Sequence, residues 1–184
     1  MKDELVQVLD QEARRVDAEG IWPERSIKAL AQFELLGLTL PSPGQGAGMR
    51  QFAEVTQEIA THCASTAMIY MMHVCAAQVI AASPSPRRVD LVKQMASGKA
   101  VATLAFSEKG SRSHFWAPVS RASQNSRGAI LNCDKSFVTS AGHADYYVVS
   151  SGAIGAKTVM DSTLYLVEKS TPGVEWPGSW NGLG

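Results

Sequence analysis

The 184-residue chain is poor in cysteine and has no excess of either charge. Its three cysteines are an odd number at wide spacing, which makes a poor disulfide framework, so we expect free thiols and a reducing, cytoplasmic location. Lysine and arginine number 17, as do aspartate and glutamate, and this balance disfavours nucleic acid as a partner because phosphate binding needs a basic excess. The N-terminus lacks the apolar core of a secretory signal.

Long hydrophobic runs are also scarce, and the one candidate is residues 63–82, which contain no Lys, Arg, Asp or Glu. The length of this segment nearly suits a membrane span. Alanine and serine are abundant in it, however, and Thr66, His73 and Gln78 interrupt it. We therefore interpret it as the central buried helix of a soluble bundle, and we expect no membrane partner.

Apolar side chains at helical spacing predict five helices before residue 100. The first ends at residues 17–20, and the second starts near Pro23 and stops at Gly37. A loop rich in proline and glycine at residues 40–48 leads to the third helix. The fourth is the charge-free segment, and two prolines separate it from a short fifth helix.

After residue 100, short runs rich in β-branched and aromatic residues predict strands. These runs are residues 101–106, 129–131, 136–139, 146–150 and 163–167. Short strands separated by turns are typical of a small sandwich or barrel. The sequence therefore predicts an α+β protein, with an N-terminal α-helical domain at residues 1–100. A small antiparallel β-sandwich or barrel domain follows at residues 101–184, and we expect it to be incomplete at its C-terminal end.

The histidines and cysteines do not form a metal-site pattern. His73 and Cys75 are two residues apart in a predicted helix and point to different sides, while His62 and His73 lie about 16 Å apart along the axis. Neither arrangement makes a zinc site, so we predict no metal. A hydrolase triad of Ser107, His114 and an acid is disfavoured because no nucleophile elbow is present.

Two segments have the composition to hold a flat ring. A predicted strand runs into residues 107–114, whose hydroxyls and backbone N–H groups could bind a heterocycle edge or a phosphate. Phe137 and Thr139 alternate along a predicted strand and would face one side of the sheet, where an aromatic ring and a hydroxyl could hold a ring. The alternative is a core phenylalanine with a structural threonine, which the pattern alone favours.

The same segments resemble a known family. Residues 106–114 (FSEKGSRSH) and 131–149 (LNCDKSFVTSAGHADYYVV) resemble, in order and spacing, the flavin-holding middle section of acyl-CoA dehydrogenases. Looser similarity in LLGLTLPSPGQGAG and in the closing WNGLG extends the resemblance over essentially the whole chain. The resemblance implies the family fold, in which FAD lies between a middle β domain and a C-terminal four-helix domain.

The resemblance also implies an activity and site residues. The family removes hydrogen from the α- and β-carbons of an acyl-CoA thioester, passes hydride to FAD and is reoxidised by an electron-transfer flavoprotein. By position, the flavin-binding residues would be Leu104, Phe106, Ser107, Ser113, Phe137 and Thr139. Ser113 would meet the pyrophosphate, and Ser113 and His114 would border the substrate.

The family's glutamate base and dimer-forming helices belong to the C-terminal domain. We therefore expect the catalytic base to be missing here, the chain to be an N-terminal half, and a homo-oligomer or companion chain to supply that domain. Glu54, Glu58 and Glu108 are interpreted as solvated or capping side chains.

Several positions depart from the family's pattern. Arg112 replaces a glycine, His114 replaces an aspartate, and Cys133 replaces a turn glycine that takes positive φ easily. These departures leave substrate choice open. Two alternatives therefore stand beside the dehydrogenase: a flavin-dependent monooxygenase of the same fold, and a non-catalytic truncated remnant.

Overall fold

The structure, a computed structural model, describes residues 1–41, 48–111, 114, 117–126 and 128–178. In these residues the helices precede the strands, which confirms the α+β class. The elements are α1 (Asp3–Glu19), α2 (Glu24–Gln32), α3 (Met49–His62), α4 (Ala64–Ala82), α5 (Arg88–Ala96), β1 (Ala102–Ala105), β2 (Ser123–Asn125), β3 (Gly128–Ile130), β4 (Tyr146–Gly152) and β5 (Ser162–Glu168).

Local chemistry sets the ends of the first two helices. Gly20 ends α1 in the left-handed conformation, with φ of 61°, as the sequence predicts. The buried carboxylate of Glu12 accepts hydrogen bonds from Ser26 N (2.7 Å) and Ser26 Oγ (2.6 Å), which fixes the start of α2 against α1. The prediction that α2 continues to Gly37 is wrong: the helix ends at Gln32, because Glu34 takes a φ of 59° and turns the chain.

The charge-free segment is α4, and it lies at the centre of the structure. Its length and its mean hydropathy of 1.4 would allow it to cross a membrane, but half of that window is buried inside the fold. It contacts α3, α5 and β1, and the side chains of Tyr70 and His73 are fully enclosed. The prediction of a central buried helix is therefore confirmed.

The main sheet has the strand order β1-β4-β5, and β2 and β3 form a separate antiparallel ribbon. β4 pairs with β5 in antiparallel fashion but with β1 in parallel, from Ala102 opposite Tyr146 to Ala105 opposite Val149. The prediction of a purely antiparallel domain is wrong for this pair. All of β4 is buried, as expected for a central strand covered on both faces.

Helices and sheet share one hydrophobic cluster. Ala77 and Ile80 of α4, Met95 of α5 and Tyr146 and Val148 of β4 belong to it. On the opposite face of the sheet, a smaller cluster collects alternate β4 residues. The helices thus support one face of β1 and β4.

Candidate functional site

Hydrogen bonds bring together the two segments that the sequence singles out. Ser136 N donates to Ser107 O at 2.9 Å, just past the end of β1. Thr103 Oγ1, inside β1, donates to Thr139 O at 2.6 Å. Residues 103–107 and 136–139 are therefore neighbours, although about thirty positions separate them in sequence.

The first segment is supported by the core. Leu104 lies in β1 opposite Val148, and both Leu104 and Phe106 are half-buried against the cluster that helices and sheet share. Ser107 follows and is also half-buried. Within the described ranges, the hydroxyl of Ser107 has no hydrogen-bond partner. The strand end thus holds a serine hydroxyl on a fixed backbone.

The second segment differs from its prediction. Residues 136–139 are not a strand: Phe137 has a φ of 52° and Ser140 a φ of 66°, so the chain coils between them. The inference that Phe137 and Thr139 alternate on one sheet face is therefore wrong. The reason is that the backbone pairs with the segment after β1 only around Lys135, opposite Glu108, and then takes the left-handed conformation at Phe137.

Phe137 is not a core residue either. Its side chain is 81% exposed, so the alternative of a core phenylalanine is also wrong. A bulky residue at positive φ is costly, and such outliers concentrate at functional sites. Thr139 is half-buried, and no partner for its hydroxyl is found in the part of the chain that the structure describes. The adjacent Ser140 Oγ is buried and likewise unpartnered among these residues.

The residues predicted near pyrophosphate and substrate are only partly placed. Ser113 lies outside the described residues. His114 is exposed, and its backbone N donates to Ser111 O at 3.0 Å. Ser113 and His114 therefore stay predictions as ligand-binding residues.

Sequence reasoning missed a buried ion pair beneath the site. Lys135 Nζ lies 2.9 Å from Glu108 Oε1, and the two side chains are 9% and 4% exposed. Burial alone would raise the pKa of the Glu108 carboxyl, but hydrogen bonds from Ser120 and Lys135 outweigh burial and hold that pKa below its usual value. The sequence predicts a solvated or capping side chain at Glu108, and the solvated alternative is wrong because the carboxylate is buried and paired. Only the resemblance, which places both residues in matched segments, hinted at their proximity.

The described ranges offer few other candidate sites for a metal or a ligand. They contain no group of three His, Cys, Asp or Glu side chains arranged to hold a metal ion. Two open clefts are lined by residues outside the paired segments. One is bordered by Asp145, Lys169 and Trp176, and the other by Trp22 and His143. Neither includes a predicted flavin-binding residue.

Two family models cover nearly the whole chain. The N-terminal domain of acyl-CoA dehydrogenase matches residues 2–99, and the middle domain of acyl-CoA dehydrogenase matches residues 103–184. Short-chain specific acyl-CoA dehydrogenase from rat mitochondria is 24% identical over 166 residues, which are 88% of this chain and 40% of that protein. The chain thus spans less than half the length of this curated relative.

Solved structures show the same fold. Butyryl-CoA dehydrogenase from Megasphaera elsdenii superposes with a TM-score of 0.79 at 19% identity, over 94% of this chain and 50% of that one. A structure described as the FAD complex of PigA superposes with a TM-score of 0.79 at 22% identity, over 92% of this chain and 46% of that one. From the two matched domain models, this chain belongs to the acyl-CoA dehydrogenase family.

Proposed function

We propose that this chain holds FAD for the α,β-dehydrogenation of an acyl-CoA thioester. The observation that carries the proposal is the pairing of residues 103–107 with residues 136–139. These two segments carry the exposed Phe137 ring and the hydroxyls of Ser107 and Thr139, which have no partner among the described residues. A flavin needs this combination of an apolar surface and fixed hydrogen-bonding groups at its edge. The relatives support the assignment, since their descriptions name acyl-CoA dehydrogenases and an FAD complex.

Five residues of the paired segments have distinct roles in the proposal. The backbone at Leu104 and Phe106 lines the isoalloxazine, and the Ser107 hydroxyl hydrogen-bonds its edge. The Phe137 ring packs against it, and Thr139 bonds near the reactive edge. A fixed backbone suits this task, because groups already ordered lose little entropy when a ligand binds.

Bound FAD would supply the hydride acceptor for the β-carbon of the thioester. The chain's own residues would bind and orient the ring and exclude water from one of its faces. Glu108 is unsuited to take the α-proton, because its carboxylate is buried against Lys135 and its pKa is lowered. We therefore assign the base to a further segment or a companion chain, and reoxidation to an electron-transfer flavoprotein.

The test measures flavin binding and then reactivity. The full chain, alone and co-purified with any companion chain, is titrated with FAD and followed by flavin fluorescence. Anaerobic addition of butyryl-CoA to the FAD-loaded assembly that includes the segment or chain carrying the base should bleach the visible flavin absorbance, whereas the loaded chain alone should not respond. Bound FAD in that assembly with no response to any thioester would contradict the dehydrogenase and favour the monooxygenase. Absence of FAD binding in every assembly would contradict both enzymes.

Matched variants locate the flavin. We expect Phe137→Ala to weaken FAD binding about tenfold, the loss of one aromatic packing partner. Met160→Ala is the control, because Met160 is 67% exposed on the β4–β5 loop and is not among the predicted flavin-binding residues. Equal FAD affinity in both variants would show that Phe137 does not contribute to FAD binding.

A further inference from the structure

The ion pair between Glu108 and Lys135 is unlike the others in this chain. In every other ion pair of the described residues, at least one side chain is well exposed. Glu108 and Lys135 are both enclosed by the β part of the molecule. Burying two charges costs desolvation free energy that their attraction does not always recover. The pair is therefore poorly explained by stability alone.

Glu108 orders the chain on one side of the pair. Its Oε2 accepts hydrogen bonds from Val119 N at 2.5 Å and Ser120 N at 3.0 Å. The carboxylate thus fixes the backbone at Val119 and Ser120. Charge-assisted bonds of this kind are stronger than those between neutral groups.

Lys135 orders the chain on the other side. Its Nζ donates to Ser150 O at 2.6 Å, to Ser150 Oγ at 3.2 Å and to Phe106 O at 3.3 Å. The ammonium therefore joins the end of β1 to β4 and also meets the Glu108 carboxylate. An ammonium has three donors, and each of them has an acceptor nearby.

The ion pair lies next to both paired segments in the sequence. Glu108 directly follows Ser107, and Lys135 lies two residues before Phe137. Their backbones form an isolated antiparallel bridge, to which the hydrogen bond from Ser136 N to Ser107 O belongs. The pair thus lies where the two flavin-contacting segments meet, and it fixes the spacing between them.

We propose that Glu108 and Lys135 are a positioning pair that sets the geometry of the flavin site without touching the reacting atoms, an inference that rests on the proposed function. Lys135 holds the Phe106 carbonyl on one segment, and its own backbone leads directly into Phe137 on the other. Loss of the ammonium releases the Phe106 carbonyl and lets the segments separate. Loss of charge alone, with the bonds kept, has a smaller effect.

The test separates positioning from stability. Lys135→Met removes the donors and leaves a buried carboxylate, whereas the double variant Glu108→Gln/Lys135→Met also removes that carboxylate. We expect thermal stability to recover in part in the double variant, because no lone charge stays buried. FAD binding should stay weakened by about tenfold or more in both, since neither restores the bonds to Phe106 and Ser150. Recovery of affinity together with stability in the double variant would overturn the proposal.

A second readout does not need flavin. In the flavin-free full chain, the amide hydrogens of residues 105–111 and 134–139 should exchange faster in the double variant than in the wild type. The amides of β5 should stay as protected as in the wild type. The control is Lys28→Met, which breaks the exposed pair with Glu24 on α2. Unchanged exchange in both segments would overturn the positioning pair. If the wild-type chain binds no FAD in any assembly, the proposed function fails, and the exchange data still decide whether the pair orders these segments.

Discussion

Gly98 shows how one residue without a side chain permits two helices to meet. It follows α5 with a φ of 70°, and a Cβ added there would lie 2.3 Å from Ala31 Cβ of α2. We expect Gly98→Ala to lower the free energy of unfolding by about 3 kcal/mol, because left-handed strain and overpacking add. Urea unfolding followed by circular dichroism measures this loss.

Gly155 supplies the matched control for Gly98. Its φ is 75°, but nothing lies within 4 Å of an added Cβ. Gly155→Ala therefore adds the backbone strain alone, and we expect a loss of about 1 kcal/mol. Equal losses in the two variants would show that contact with Ala31 contributes nothing.

At the scale of single residues, the sequence singled out two segments that the structure brings together, but it did not predict their geometry. The segments around Ser107 and Thr139 were predicted to hold a ring, and the structure makes them neighbours. The conformation of Phe137 was predicted wrongly because β-propensity describes a half-buried pleated surface, and Phe137 lies on none. The ion pair of Glu108 and Lys135 was missed because no local periodicity connects residues 27 positions apart.

His73 connects two elements and makes their packing sensitive to pH. It lies in α4, fully buried, and its Nδ1 accepts a hydrogen bond from Ala102 N at the start of β1 (3.2 Å). Burial lowers the pKa of His73 from 6.5 to about 4, and the carbonyls of Leu36 and Met95 oppose this only in part. In the folded protein the ring is therefore mostly neutral until the pH falls close to 4.

The sign of the pH dependence follows from this lowered pKa. Between pH 6.5 and about 4 the unfolded chain binds a proton at His73 that the folded chain does not. We expect the contribution of His73 to be fully present above pH 6.5 and to fall by about 3 kcal/mol as the pH decreases through this window. Urea unfolding at stepped pH measures it.

His73→Asn is the control for this titration. The asparagine carbonyl can accept the Ala102 N–H bond in place of Nδ1, but it does not titrate. Other groups lose stability in acid as well, so the quantity compared is the difference between the two proteins. If both lose the same free energy of unfolding between pH 6.5 and pH 4, the buried imidazole is not responsible.

At the scale of elements, local pattern predicted helices well and strand pairing poorly. The five helices follow from apolar spacing together with glycine and proline stops, and only the end of α2 was misplaced, by the turn at Glu34. The parallel pairing of β1 with β4 was not predicted, because it joins segments more than forty residues apart that no hairpin connects. Propensity fixes neither a strand's partner nor its direction.

At the scale of the whole molecule, helices and sheet behave as one packed body. Leu9 of α1, Leu30 of α2 and Tyr70 of α4 belong to a separate cluster among the helices, the helical cluster, which also includes Val74 of α4. α4 thus contributes to this cluster and, through Ala77 and Ile80, to the cluster shared with the sheet. Val101, next to β1, packs against both the helical cluster and the smaller cluster on the far face of the sheet. Contacts that run without interruption through a structure couple its parts, so we expect one cooperative unfolding transition.

Leu9→Ala tests this coupling from the end of the molecule farthest in sequence from the sheet. Leu9 is fully buried in α1, and its loss should lower the free energy of unfolding by about 3 kcal/mol. Far-UV circular dichroism reports the described helices, all before residue 97, whereas three of the four tryptophans follow residue 100. Both signals should shift to the same lower urea midpoint, and Val159→Ala, at an exposed position, should shift neither. A change in circular dichroism with an unmoved fluorescence midpoint would mean that the sheet folds without the helices. The proposed flavin site would then owe its geometry to the sheet and to the ion pair of Glu108 and Lys135 alone.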